Sequence, residues 1–478
     1  MLRVLALHGK LPALWGGNQS AVEVLAKFWR RFRQLHPSHA IYTYHKNRLH
    51  QVLPLMLHAD EGETLKKAGL MVISWQSPVG AGISTQTEPT DMPLNYVGSS
   101  FKTRFLISVL LKRLYTKQVK ESLDSLMSII ATDLKQLFEQ GLRLDFPDGK
   151  HQHYYVAWVG LKGDWPIQQK LGHLQRHFSR LTTNEQVGVG ICHLCEAGRP
   201  GVPLHDFSEH AAWRTTFLRT SPFETMGPLA DVPQTASPEM MLRYDPFHTL
   251  HKGCFAELAG SGLVMIIDYG ILGDDSVPKQ LNSLYQLLQE FCTRTKHPLH
   301  MDGLTRNLLN FPRDSSYPAA DTTAVLAFLE EFFRNHLATL ANPDPYLESA
   351  HDACVNANIF LRTLYRNGLW LPLQATTEVA QSGYNFLRCY AECAQHAYNQ
   401  GKTRYKLQPK YHTMIHFADF YGTAARSRQR FTWNILADGC QMDEDLVGKV
   451  ATLSRAVNVR SVHTDTVSRY LLKLWEEP

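Results

Sequence analysis

Two apolar runs that each end in a carboxylate constrain the fold of this chain more than any other feature. The first, QVLPLMLHADE (51–61), is strand-like and closes on Asp60. The second, HQHYYVAWVGLKGDWP (151–166), closes on Asp164. A carboxylate at the end of a buried strand projects from the sheet edge while its backbone stays fixed, which is how a metal site obtains a rigid ligand. Ordinary chemistry explains each residue alone: Asp60 lies in a DEG turn sequence, and Asp164 is well placed to cap the helix that Pro166 opens.

The segments between and around these runs give an order. AGLMVISW (68–75) is a second strand, so Val52–Trp75 reads as a hairpin. FKTRFLISVLL (101–111) is a third strand. Apolar residues at Val119, Leu123, Leu126, Ile129, Ile130, Leu134 and Leu137 have helical spacing and predict a helix from Lys117 to about Gln140. The second acid-ending run is the fourth strand. A helix over Ile167–Arg180 and a short fifth strand over Gln186–Cys192 follow. Strand, strand, strand, helix, strand, helix, strand is the order of the ribonuclease-H-like fold, a mixed α/β sheet with helices on its faces. The two acids then fall on its first and fourth strands.

Beyond His248 the pattern is helical. Helices are expected at Lys279–Thr295, Thr322–Leu340, Leu347–Asn367, Thr376–Gln400, Tyr411–Ala424, Asp443–Ala456 and Thr464–Trp475. The expected division is an N-terminal helical segment (1–37), a sheet domain (38–197), a loop or linker region (198–247), a large helical insertion (248–440) and C-terminal helices that return to the sheet (441–478).

With 478 residues, 44% of them hydrophobic and 19% charged, the chain can bury a large core and is not disordered. Eight cysteines in this length do not make a disulfide scaffold, no signal peptide is visible, and the apolar run Leu263–Ile267 meets Asp268 before it could span a bilayer. A soluble intracellular protein is expected. Net charge is +5, with basic clusters that include Lys112 and Arg113 and Arg426, Arg428 and Arg430. These are candidate polyanion contacts, against the alternative of solvated helix faces.

Two further motifs carry chemistry. CQMDEDLVGK places Asp443, Glu444 and Asp445 at a helix start, where acids also simply favour the helix dipole. Read with Asp60 and Asp164, Glu444 completes a set of converging carboxylates of the kind that holds two divalent metals about 4 Å apart, with Asp443 or Asp445 as substitutes. Cys192-His193-Leu194-Cys195 has the spacing of half a zinc site. A redox pair and unligated core cysteines are the alternatives. With no second CxxC, the remaining ligands must be histidines, among which His205, His210, His248 and His251 follow downstream. His412 and His416 stand one helical turn apart, but the zincin pattern needs Glu where Thr413 stands, so they read as a packed or DNA-facing pair.

GDWP, then CHLC, DPFH, PKYHTMIH and a late acidic helix together resemble eukaryotic cut-and-paste DDE/D transposases. The nearest likeness is to the CACTA-like group and to transposon-derived repetitive proteins of protist genomes. The resemblance implies a ribonuclease-H-like domain with a helical insertion. It implies Asp60, Asp164 and Glu444 as catalytic ligands of Mg²⁺ or Mn²⁺, and a structural Zn²⁺ on Cys192, Cys195, His248 and His251. It further implies endonucleolytic cleavage and strand transfer on transposon ends and target DNA in the nucleus, with Lys112, Arg113, Arg426, Arg428 and Arg430 as DNA contacts and a homo-oligomer left open. The first 34 residues show no finger spacing. A domesticated or decayed DNA-binding protein of the same descent is therefore an alternative, and a zinc-dependent hydrolase a third.

Overall fold

The computed structural model describes residues 1–476 except 18, 65–67, 120, 182–187, 274–275 and 310–320. Its centre is a curled five-stranded mixed sheet built from β1 (Val52–Glu63), β2 (Gly69–Gln76), β3 (Phe105–Leu111), β4 (Leu142–Asp145) and β5 (His151–Lys162), in the order β3-β2-β1-β5-β4. β1 pairs antiparallel with β2 and parallel with β5; β3 and β4 are antiparallel edges. The continuous burial of Val52–Ala59 and of Tyr154–Lys162 is what central strands covered on both faces require. Pro54 is tolerated in β1 because β2 pairing begins only at Met56. The edge left before it is closed by the Trp29 indole, which donates to Val52 O at 2.8 Å.

Helices in the first half are α1 (Leu2–Leu7), α2 (Ala21–Leu35), α3 (Ile41–Tyr44), α4 (Ser100–Thr103), α5 (Ser122–Glu139), α6 (Trp165–Gly172) and α7 (Ala212–Thr216). The second half supplies α8 (Phe255–Asp268), α9 (Val277–Thr295), α10 (Thr322–Leu337), α11 (Pro345–Arg366), α12 (Leu373–Asn399), α13 (Pro409–Arg426), α14 (Gln441–Ser454) and α15 (Val462–Glu476), with a short ribbon of β6 (Trp370–Pro372) and β7 (Phe431–Trp433). The period-2 alternation of β2 sorts its side chains. Leu70 and Val72 join Leu446, Val450, Tyr470 and Leu474 of α14 and α15, while Met71 and Ile73 enter the main core. The last two helices thus return to the sheet.

Several expectations change. β4 (Leu142–Asp145) is a strand where none was expected, and β1, expected to close on Asp60, runs on to Glu63. The helix predicted from Lys117 begins as a π-helical turn (Leu114–Gln118) and restarts at Ser122. The helix after Asp164 ends at Gly172, where His173 takes left-handed geometry (φ 51°) and its ring bonds Thr225 and Asp124; only a 3-10 turn, Phe178–Arg180, follows. Of the predicted fifth strand, Gln186 and Val187 lie outside the described residues, and Gly188–Cys192 forms no strand. Within the Pro/Gly-rich stretch, Trp213 is buried, with its indole bonded to Asp206 O at 2.7 Å. Helix Phe247–Asp268 is long and apolar enough to cross a membrane, and 83% of its apolar window is buried inside the fold.

Candidate metal centres

The CxxC loop folds back on itself, with Ile191 N donating to Ala197 O at 2.8 Å and Leu194 N to Cys192 Sγ at 3.3 Å. This presents both thiols to α13, where His412 and His416 occupy one face at i, i+4. Cys192 Sγ lies 3.3 Å from His416 Nε2, and Cys195 Sγ lies 3.2 Å from His412 Nε2 and 3.6 Å from His416 Nε2. All four residues are buried, and their ligand atoms lie within 4.8 Å of one another. The surroundings fit a cation. His412 Nδ1 bonds Leu204 O at 2.8 Å, which leaves Nε2 as the lone-pair nitrogen facing the thiols. The Tyr244 hydroxyl sits 2.9 Å from Cys192 Sγ, and the Trp213 ring stands edge-on to both imidazoles. Burial opposes ionisation of both thiols. At Cys192, hydrogen bonds from Cys195 and the two histidines outweigh it and hold the thiol well below its ordinary value. At Cys195, burial and the adjacent Cys192 push it up. A buried Cys2His2 group of this kind can hold a zinc-type ion, and with four protein ligands it is a closed site.

This corrects the expected zinc partners. His248 and His251 belong to the kinked segment Phe247–Cys254, and their rings diverge. His251 bonds the Tyr365 hydroxyl at 3.2 Å and is pushed down to about 4 by burial. His248 turns to Asp245 and Glu444. His205 and His210 are exposed. The usable signal was the i, i+4 spacing of His412 and His416, which sets both rings on one face of a straight helix.

The carboxylates gather elsewhere. In the parallel pairing of β1 and β5 the last partners are His58 and Lys162, and Asp60 and Asp164 each stand two residues further on. The strands close tightly there: at Gly163 (φ 151°) a Cβ would lie 2.9 Å from Ala59 O. Asp164 does cap α6, but through Oδ1 alone, which accepts from Ile167 N at 2.9 Å. Asp60 Oδ1 accepts from Glu61 N at 2.6 Å. Among the described residues neither carboxylate has an ion-pair partner. Burial and then the charge of Asp164 push Asp60 up to about 7, and burial raises Asp164.

α14 distinguishes its three acids. Asp443 points into the core, where Lys162 Nζ meets it at 2.7 Å and Arg104 Nε at 3.7 Å, all three side chains 1% exposed. Asp445 pairs with Lys449 at 2.8 Å. Glu444 is the one directed to the Asp60 side, where it accepts from Lys252 Nζ at 3.0 and 3.1 Å and lies 3.1 Å from His248 Nε2. Against the cost of burial, His248 and Lys252 hold it down to about 2. Behind His248 stands Asp245, fully buried, which accepts from Phe247 N, His248 N and Cys440 N at 2.8, 3.1 and 3.0 Å and from His248 Nδ1. Burial would lower His248, yet Asp245 and Glu444 raise it to about 9. The sequence shows Asp245 in DPFH without revealing this orienting role. It also gives no hint of His58, buried beside Lys162, with neither ring nitrogen hydrogen-bonded among the described residues and pushed down to about 4 by burial. Among the described residues only the Cys/His group brings three or more ligand atoms within 4.8 Å of one another. The carboxylate set is looser, with Glu444 drawn to its cations.

The basic residues separate. Lys112 pairs with Glu61, as does Lys170 at 2.8 Å, on the strand that carries Asp60, and Arg113 is exposed. Arg426, Arg428 and Arg430 are exposed at the C-terminal end of α13. Arg426 lies sixteen residues, about 24 Å of helix, beyond Lys410. No family model matches the chain, and no curated protein matches it.

Proposed function

We propose that this protein is a metal-dependent polynucleotidyl transferase of the DDE/D transposase type on a ribonuclease-H-like sheet, with Asp60, Asp164 and Glu444 as its catalytic carboxylates. The observation that carries this reading is the pair of half-buried acids, Asp60 on β1 and Asp164 just beyond the parallel β5, with no ion-pair partner among the described residues. Burying two like charges side by side costs free energy that a divalent ion between them would offset. A three-strand antiparallel meander with a parallel neighbour to its first strand, and a late helix bringing a third acid, support the fold assignment.

Bound Mg²⁺ or Mn²⁺ would supply an activated water or 3′-hydroxyl and stabilise the leaving oxygen of a phosphodiester. The chain's own groups do the rest. Asp60, held within β1 by its pairing with β2, and Asp164, fixed as the cap of α6, hold set positions. Glu444, on leaving Lys252, would be the third residue to hold the ion, with Asp245 keeping His248 aimed at it, and Lys252 would then be available to substrate phosphate. The Cys2His2 group has no open position, so its role is to pin the CxxC loop to α13 rather than to hydrolyse. DNA ends as substrate and a nuclear location accompany this reading.

The test is a strand-nicking assay with Mn²⁺ on wild type and Asp164→Asn. Asn caps a helix as well as Asp, so the variant should keep its fold and lose nicking by on the order of 10³-fold. A variant as active as wild type removes Asp164 from the mechanism. One observation favours the alternative of a non-catalytic descendant: Glu444 is already neutralised by Lys252 and His248. Wild type that binds DNA but neither binds Mn²⁺ nor nicks would decide for it.

A further inference from the structure

A basic recess adjoins the carboxylates, opening where the helical segment Phe247–Asp268 breaks. Lys252 (φ −103°, ψ 15°) and Gly253 (φ −137°, ψ −120°) leave helical geometry there, and the Lys252 carbonyl accepts from Lys410 Nζ at 2.5 Å. Gly253 is needed for this approach, since a Cβ would sit 2.7 Å from Lys410 Cδ and 2.9 Å from His248 O. Lys252, Lys406, Gln408 and Lys410 line the recess, with Glu257 as its acidic member. The recess and the carboxylate site share a wall: Lys252 Nζ bonds Glu444, and Lys410 lies within electrostatic reach of Asp164 and Asp245. α13 begins at Pro409, so its positive dipole end also borders the recess. The Cys2His2 group fixes this wall, because His412 lies only two residues beyond Lys410.

We infer that Lys406 and Lys410 form a phosphate-binding subsite, which takes the backbone phosphate that flanks the one at the carboxylates. The identity of the ligand rests on the proposed function. A polyanion laid across Asp60 and Asp164 meets repulsion at the carboxylates; Lys410 is countercharge within reach of Asp164, and Lys406 extends the positive lining into the recess. The recess is polar and half-open, which suits a hydrated phosphate and not an apolar group.

The experiment is fluorescence anisotropy of a short single-stranded oligodeoxynucleotide across a salt series, without added divalent ion. Wild type, Lys406→Met, Lys406→Met/Lys410→Met and the exposed control Lys135→Met are compared, each checked for zinc content and thermal midpoint. The double variant should bind roughly tenfold more weakly, with the log–log salt slope reduced by about 1.4, the single variant by about 0.7, and the control by nothing. Wild-type affinity and slope in both lysine variants would overturn the subsite. Inorganic phosphate should displace the oligonucleotide from wild type. Phosphate binding that depends on the lysines, with oligonucleotide binding that does not, would overturn the backbone assignment and leave a free-phosphate site. Failure of the nuclease reading looks different: the lysine dependence persists while Mn²⁺ produces no nicking.

Discussion

The two candidate metal centres were built to opposite specifications. At Cys192, Cys195, His412 and His416 the ligand atoms are gathered within 4.8 Å, sealed from solvent and oriented by Leu204 and Tyr244. At Asp60, Asp164 and Glu444 the acids are half-buried beside the sheet, two of them without an ion-pair partner among the described residues and the third held by Lys252 and His248. The first arrangement joins distant parts of the chain, a loop near residue 193 and a helix near 414. The second leaves electrostatic tension unrelieved, which is typical of a place where something else binds. A structural site is complete once its ion is in; a working site keeps open positions.

The largest expected effect follows from removing a ligand of the closed site. Cys195→Ser should lose zinc and about 5 kcal/mol or more of stability, read by metal content and thermal melting; a variant that kept its melting temperature would erase the contrast. Next comes the anchor of α14. Asp443→Asn strands two buried cations, Lys162 and Arg104, and should cost about 3–5 kcal/mol, whereas Asp445→Asn, on a surface pair, should stay within about 1 kcal/mol. Equal costs would mean that Asp443 does not hold the helix to the sheet. Glu444→Gln should keep zinc, lower the melting temperature modestly because Lys252 and His248 lose their partner, and cut nicking on the order of 10²-fold.

A further prediction is a pH dependence. Asp60 is raised from 3.8 to about 7 by burial and by Asp164. Between those values the folded protein holds a proton that the unfolded chain has released, so stability falls as pH rises through this window. Asp60→Asn should flatten that part of the melting-temperature profile and melt higher than wild type at pH 8. A profile unchanged by the substitution would show that Asp60 is not under like-charge strain.

Four of the five strands were legible because they announce themselves; the short edge strand β4 (Leu142–Asp145), half exposed and without an apolar run, was not. Continuous apolar runs mark β1 and β5 as central, and Gly163 with Pro166 marks the turn into α6. The parallel pairing of β1 with β5, which sets Asp60 and Asp164 each two residues past its last partners, is a property of the folded sheet that strand order does not give. The zinc partners were not legible, because two histidine pairs have similar spacing and only tertiary packing decides between them. The i, i+3 pair at His248 and His251 lies on a kinked segment and splits, while the i, i+4 pair at His412 and His416 stays on one face. α8 escaped for a different reason: it is buried nearly all round, so it has no amphipathic period to detect. The choice among Asp443, Glu444 and Asp445 likewise depended on Lys162 and Arg104, hundreds of residues away in sequence.

The most direct test of the account is Mn²⁺ binding by calorimetry or electron paramagnetic resonance to zinc-loaded wild type, Asp60→Asn and Asp164→Asn. Wild type should bind Mn²⁺ with an affinity that either substitution lowers at least tenfold while zinc stays in place. Mn²⁺ bound equally well by all three proteins, or by none, would contradict a metal seat at the ends of β1 and β5.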